Sequence, residues 1–553
     1  MEPAAAAAAA AATTATTTIR LSETKALDAD DLERLRRHAA KVFDKLKEES
    51  RSEPPSSPPS WVLGDNDSNI NSDNSNSNSN SNKDGEKITN EQSSSSFRKR
   101  YFDSNGFWIE RGFCNTDETH ELKRAMSDSV RRYWFPKGAL TTTTNNTSHS
   151  TAEENESDRD QENEKAATTF ATDVKSNAAR GDPFLESADK VTYFAEPTAL
   201  DSKTGALKPE FRNNSDENDN CENQTNSSSN NKKVHALCKA GHGLHLPPSF
   251  RRVAGTIASA KTEKGSNRSE DEKENNDDDD CIHDIHKPFF DYTTSAKLGE
   301  LVLSLGYQDP VVPQSMYIFK NPVVGGAVHS HQDSTFLYTT PRQTCLGLWL
   351  ALDDATLDNG CLWVRPKSHF EPLRRQFIRN PKYKNDGDGE SKLAFRQHHD
   401  NPEVTWEGTL PESVEVENID ADADPNPSNS SDNDDNGMDN RNREQEISSL
   451  NFVPVEVRAG DLVVFGGTLD HFSLPNFSDR QRHTFQLHLV EGPGAGVAWS
   501  PENWLQYDET AAAVAKAVDT QNDDDDNDTN TTDKENKFLR LLDYETYTNK
   551  EIL

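Results

Sequence analysis

Between Gln314 and Glu491 the apolar residues fall into short runs, each closed by turn residues, and this spacing constrains the fold more than any other feature of the chain. Gln314 to Lys320 (QSMYIFK) is apolar and aromatic, and Asn321-Pro322 with Gly325-Gly326 breaks it. Further runs stand at Thr335 to Thr340, Leu346 to Leu352 and Cys361 to Val364. Ala459-Gly460-Asp461 reads as a turn feeding Leu462-Val463-Val464-Phe465, after which Gly466-Gly467 lets the backbone bend. Arg482 to Glu491 (RHTFQLHLVE) alternates: Arg482, Thr484, Gln486 and His488 share one face, and His483, Phe485, Leu487 and Leu489 share the other. Short strands at this spacing predict an antiparallel barrel or jelly roll.

Within that frame stands His331-Gln332-Asp333. A His and a carboxylate two residues apart on a strand point the same way, so both can bind one face of a metal ion. His471 would complete a 2-His-1-carboxylate triad, which holds non-haem Fe(II) and leaves positions open for a cosubstrate and O₂. The pair alone is weak, because the chain has 16 His; the strands around it give it weight. Arg482 faces the barrel interior, where a buried guanidinium needs an anion and its planar fork matches a carboxylate. The alternative is an Arg whose stem merely covers the barrel rim.

FDSNGFWIERGF (Phe102 to Phe113), FLESADKVTYFAE (Phe184 to Glu196), KAGHGLH (Lys239 to His245), QSMYIFK, HQDSTFLYT, LGLWLALDDATLDNGCLWVRPKSH (Leu346 to His369), DHFSLPNFSDRQR (Asp470 to Arg482) and WSPENWLQ (Trp499 to Gln506) occur in order. In these blocks, which cover about half of the chain, it resembles the phytanoyl-CoA dioxygenase family. The resemblance implies a mainly β fold, a double-stranded β-helix (jelly-roll, cupin-like barrel) flanked by helices from the N-terminal half. It implies an Fe(II)- and 2-oxoglutarate-dependent dioxygenase that uses O₂, with ascorbate as a further cofactor, and hydroxylates a small organic substrate with release of succinate and CO₂. By position, His331, Asp333 and His471 match the iron ligands, and Arg482 matches the residue that holds the far carboxylate of 2-oxoglutarate. Lys239, Met316, Gln332 and Trp349 match further cosubstrate contacts. No catalytic residue is implied beyond these ligands. Met316 and Trp349 also suit a core, and Lys239 a surface. His329, two residues before His331, departs from the pattern and is read as a neighbour of the site or a surface residue. Two other readings stand beside the oxygenase: a metal-binding barrel that has lost catalysis and serves as a binding module, and a cupin-type metalloenzyme that uses no 2-oxo acid. Intact ligands together with Arg482 argue against both.

Composition accounts for the length. The 553 residues are only 32% hydrophobic, too little for several packed domains. We expect a low-complexity region over 1–97 with one helix at 29–49, a catalytic domain over 98–507, and an acidic tail over 508–553. Disordered insertions are expected near 141–180, 213–231, 263–280 and 417–449, and the Ala/Thr-rich stretch Met1 to Thr18 and the Asn/Ser-rich stretch Asn66 to Asn82 read the same way. Such tracts cannot bury enough apolar surface to offset chain entropy.

The net charge of -35 lies mostly in those tracts, so it speaks for solubility rather than for a binding surface. With no basic stripe interleaved with aromatics, no nucleic-acid partner is expected. No apolar run nears the ~20 residues that cross a bilayer, so no membrane partner is expected either; the partner is a small-molecule substrate and the chain a monomer. Six scattered cysteines without a CxxC pair indicate a reducing compartment, and Cys281 with His283 and His286 lacks a second ligand pair of zinc-site spacing. The C-terminal Glu551-Ile552-Leu553 is not S-K-L, which leaves the cytoplasm.

Overall fold

The alternation of Arg482–Glu491 divides the molecule into two layers. Phe485, Leu487 and Leu489 point outward, where the helices Thr116–Ser129, Lys287–Thr293 and Ala296–Ser304 supply Leu122, Met126, Phe289, Leu298, Leu301 and Val302 to one buried cluster. Phe485 sits 4.9 Å from Phe289 and 5.6 Å from Tyr292, ring centre to ring centre. The opposite face of the strand looks into the barrel. This is a computed structural model, and it describes residues 16–52, 90–134, 182–185, 187–201, 207–211, 235–247, 252–253, 285–384, 391–398, 404, 406–417, 451–507 and 538–541. Most of the Ala/Thr-rich, Asn/Ser-rich and acidic tracts of the sequence lie outside those residues.

The larger sheet runs in the order Phe107–Glu110, Leu462–Gly466, Leu346–Ala351, Arg482–Glu491, Pro310–Lys320, Leu237–His242, Lys190–Ala195, Arg252–Val253, with Leu539–Arg540 also paired to Pro310–Lys320. The smaller sheet runs Val453–Val455, Leu362–Val364, His471–Ser473, Val328–His331. All these pairs are antiparallel except Lys190–Ala195 with Arg252–Val253. The two sheets face one another as a jelly roll, as the strand spacing predicted and as the double-stranded β-helix implied by the family resemblance.

Local chemistry explains the joints. Asn115 caps helix Thr116–Ser129 by accepting from the Glu118 amide at 3.0 Å while Glu118 accepts from the Asn115 amide at 2.8 Å, a reciprocal box that satisfies two orphan donors. Gly460 turns the chain into Leu462–Gly466 with φ +90°, and a Cβ there would lie 2.2 Å from the Cys114 carbonyl oxygen, so only glycine fits.

Four expectations need correcting. Thr335 to Thr340 is not one strand: Asp333–Thr335 is a 3₁₀ turn and only Thr339–Thr340 is extended. Asp333 and Ser334 favour a turn over a ladder, and the Ser334 amide donates to Gly467 O at 2.8 Å rather than to a strand partner. The Ala/Thr tract stops short of Thr18, because Thr16–Arg20 pairs with Ser413–Glu417 and buries Ile19 against the cluster that holds Val414 and Val416. The 97/98 boundary falls inside helix Asn90–Asn105, whose Tyr101 packs on Phe107 and Trp108, and the predicted helix runs over Ala29–Ser52, burying Leu35, Ala39 and Leu46. Finally, part of the acidic tail belongs to the barrel: Phe538 lies 5.0 Å from both Trp499 and Tyr507, beside the edge pairing of Leu539 with Val312. Charge counts over long windows hide four-residue apolar segments such as this one. Among the described residues no helix is long and apolar enough to cross a membrane.

Candidate metal centre

His331 ends strand Val328–His331, His471 opens strand His471–Ser473, and the two are registered partners across the smaller sheet. Asp333 follows one residue into the 3₁₀ turn. Asp333 Oδ1 lies 3.4 Å from His331 Nε2 and 3.6 Å from His471 Nε2, and one donor atom from each of the three falls within 4.8 Å of the others. Both rings are locked from behind. His331 Nδ1 donates to His329 O at 2.7 Å and His471 Nδ1 donates to Leu469 O at 3.0 Å, so each turns Nε2 toward the carboxylate. Backbone carbonyls in that place fix ring orientation and tautomer in metal-binding histidines. Phe336 shields His331 at 5.8 Å and Phe465 shields His471 at 4.6 Å.

Electrostatics suit a cation. Burial pushes the Asp333 carboxyl up, but His488 and His471 and the bonds from His331 and His488 outweigh it and hold the group well below the usual carboxylate range. Burial, helped by the charge of His331, pushes His471 down to about 4, which leaves its ring neutral at neutral pH. His331 goes the other way: burial lowers it, and the bond and charge of Asp333 raise it further than burial lowers it.

The ligand segments are tied together by groups that the sequence reading gave no such role. Gln332, between the first two candidate ligands, donates to Thr468 O at 2.9 Å and accepts from the Arg374 amide at 3.2 Å. The Arg374 side chain in turn binds Asp470, the residue before His471, and Arg365 binds the other side of the same carboxylate. Glu371 and Glu407 complete this buried network. Burial raises the Asp470 carboxyl and the two guanidinium groups more than reverse that, holding it low and ionised. A signal was present in the sequence as the RPKSH and DH motifs, but nothing in it joins residues over 100 positions apart.

The remaining candidates line the inner face of the larger sheet. Met316 and Trp349 are the two registered neighbours of Gln486, one on either side. Lys239, expected as a cosubstrate contact with a surface place as the alternative, is only 1% exposed; a Cβ built on Gly241 would lie 3.4 Å from Lys239 Cε and 3.5 Å from Met316 Cγ, so the two side chains converge there. Arg482 is 2% exposed, with its guanidinium carbon 5.3 Å from the centre of the Trp349 ring. Its Nη2 donates to Gly360 O at 2.8 Å, while Nε and Nη1 are buried without a partner among the described residues. Lys320, its registered neighbour, is also buried, and burial, then the charge of Arg482, lowers its ammonium well below the usual range. A buried guanidinium with unsatisfied donors among the described residues fits an anionic ligand. His329 does not join the cluster; its Nε2 contacts Glu23 at 3.0 Å. Cys281 and His283 lie outside the described residues, and His286 bonds Ser129. Cys114, Cys238, Cys345 and Cys361 are buried.

The model of the family described as Phytanoyl-CoA dioxygenase (PhyH) matches residues 228–484, which span the three candidate ligands and Arg482. A phytanoyl-CoA dioxygenase of Arabidopsis thaliana is 36% identical over 41% of this chain and 60% of its own length. Among solved structures, EctD from S. alaskensis with 2-oxoglutarate and 5-hydroxyectoine aligns over 73% of this chain and 76% of that one, at 11% identity and a TM-score of 0.31, a likeness too loose to bear on the site. Phytanoyl-CoA dioxygenase domain-containing protein 1 of Rattus norvegicus is 39% identical over 75% of this chain and 94% of its own length. Identity at that level, sustained through almost the whole relative, shows that the chain belongs to the phytanoyl-CoA dioxygenase family.

Proposed function

We propose that the chain is an Fe(II)- and 2-oxoglutarate-dependent dioxygenase that hydroxylates a small organic substrate. The observation that carries this reading is Arg482, a buried guanidinium with two nitrogens that lack a partner among the described residues, inside the barrel that also brings His331, Asp333 and His471 together. His331, Asp333 and His471 would hold the iron, because their donor set, two imidazoles and one carboxylate, suits non-haem Fe(II) and a structural zinc site would close the fourth position. Iron with 2-oxoglutarate and O₂ supplies the oxidising step and yields succinate and CO₂.

The chain's own residues do the rest. The fork of Arg482, with Lys320 beside it, would neutralise the far carboxylate of 2-oxoglutarate, and Trp349 under the guanidinium limits its swing. Lys239 and Met316 line the same interior face and would flank that molecule. The clamp through Gln332, Arg374 and Asp470 keeps the two ligand segments at a fixed separation, so metal binding needs little reorganisation. Phe336 and Phe465 exclude water from the imidazoles, which strengthens each charge interaction within.

Anaerobic titration with Fe(II) and then 2-oxoglutarate, followed by succinate release on admission of O₂ with a panel of small organic substrates, tests the reading. Saturable binding of both and substrate-stimulated succinate are expected. Metal binding without any 2-oxoglutarate binding would overturn it in favour of a cupin-type site.

A further inference from the structure

The Asp333 carboxylate has a third histidine neighbour. His488, on the inner face of Arg482–Glu491 and 4% exposed, places Nε2 3.1 Å from Asp333 Oδ2. The carboxylate is therefore divided: Oδ1 faces His331 and His471, and Oδ2 faces His488. His488 is not part of the group whose donor atoms converge; that group consists of His331, Asp333 and His471.

Two further observations indicate that this contact is built. Gly347 is the registered partner of His488 on the adjacent strand, and a Cβ there would stand 3.1 Å from Asp333 Oδ2 and 2.5 Å from the Phe465 ring. A larger residue at 347 would drive Phe465 or the carboxylate out of place. Among the described residues His488 Nδ1 is buried with no partner, so the ring lies in the barrel at a free-energy cost that an apolar side chain would avoid. Among the described residues, the one polar contact that the ring makes in return is with Asp333.

We propose that His488 is a positioning residue: by donating Nε2–H to Oδ2 it holds Asp333 as a ligand through Oδ1 alone. A carboxylate that bound through both oxygens would take a coordination position otherwise open to 2-oxoglutarate or O₂. The donated bond also sets the direction of the Oδ1 lone pairs, since Asp333 leaves its strand for a turn and lacks the ladder that orients His331. This inference rests on the metal centre of the proposed function, and not on the identity of the substrate.

The test uses the full chain and Co(II) or Fe(II) alone under anaerobic conditions, by calorimetry, for wild type, His488→Phe and His488→Gln. Loss of an orienting partner typically weakens metal binding by 10–100-fold, so the Phe variant should show a rise in Kd of about that size, and the Gln variant, which keeps an N–H donor, should recover most of it. Far-ultraviolet circular dichroism checks folding, and His488→Leu replaces the Phe variant if the phenyl ring is not accommodated. Wild-type affinity in the donor-free variant, or a Gln variant no better than it, overturns the inference. If the wild type binds metal but not 2-oxoglutarate, the oxygenase reading falls while these affinities still decide the role of His488; if the wild type binds no metal, both fall.

Discussion

His331 and His471 are registered partners on adjacent antiparallel strands with ring centres 4.3 Å apart, although 140 residues of sequence separate their numbers. Closing the smaller sheet therefore brings the two candidate metal ligands together. His331→Ala should abolish stoichiometric Fe(II) binding and 2-oxoglutarate-dependent succinate formation. The fold should persist, because the buried clusters on both sides of the larger sheet do not include the imidazole. Metal analysis and circular dichroism on the same sample check both halves; full activity in the variant would make another residue the ligand.

Arg482→Met keeps much of the apolar stem and deletes the fork. A hydrogen bond to a charged group contributes about 1.5–3 kcal/mol, so 2-oxoglutarate affinity should fall by about 10- to 150-fold while Fe(II) binding holds. Arg482→Lys should recover part of this, since a point charge cannot reproduce two parallel bonds. Arg480 is the control: its side chain is 59% exposed and pairs with Asp358 at 3.4 Å. A larger loss at Arg480 than at Arg482 would move the anchor.

Glu196 predicts a pH effect on stability. Burial pushes its carboxyl up to about 7, against the Gly326 amide and the charge of Lys320, which lower it. The folded-state value lies above the unfolded one, so this group's contribution is greatest at low pH and is lost as pH rises from about 4.5 to 7, at about 1.4 kcal/mol per unit. Glu196→Gln keeps an acceptor for Gly326 and removes the charge. It should be about 2–4 kcal/mol more stable than wild type at pH 8 and equal to it near pH 4, measured by denaturant melts; an equal difference at both pH values would refute the assignment.

Ile19 tests whether the N-terminal strand belongs to the barrel. It is 1% exposed and pairs with Val414. Truncation of a buried Ile to Ala costs about 2–5 kcal/mol, so Ile19→Ala should lower the chemical-denaturation midpoint clearly, whereas Thr18→Ala at its exposed neighbour should change it little. Equal, small effects would mean that the strand is dispensable.

The sequence by itself determined the period-2 pattern of Arg482–Glu491, and with it which side chains enter the barrel, because alternation is a local property of an extended chain. It also named the candidate donor set, His331, Asp333 and His471, and the inward position of Arg482, since residue type and order carry them directly. It did not reveal that Asp333 leaves the strand, that His488 takes the second carboxylate oxygen, that Gln332 and Asp470 meet through Arg374, or that Lys239 is buried. Each of these depends on contacts between segments far apart in the chain, where neither propensity nor spacing acts. The short segments Thr16–Arg20 and Phe538–Leu541 were hidden for the same reason: their strand character comes from the partners they pair with, Ser413–Glu417 and Pro310–Lys320, which lie far away in the chain.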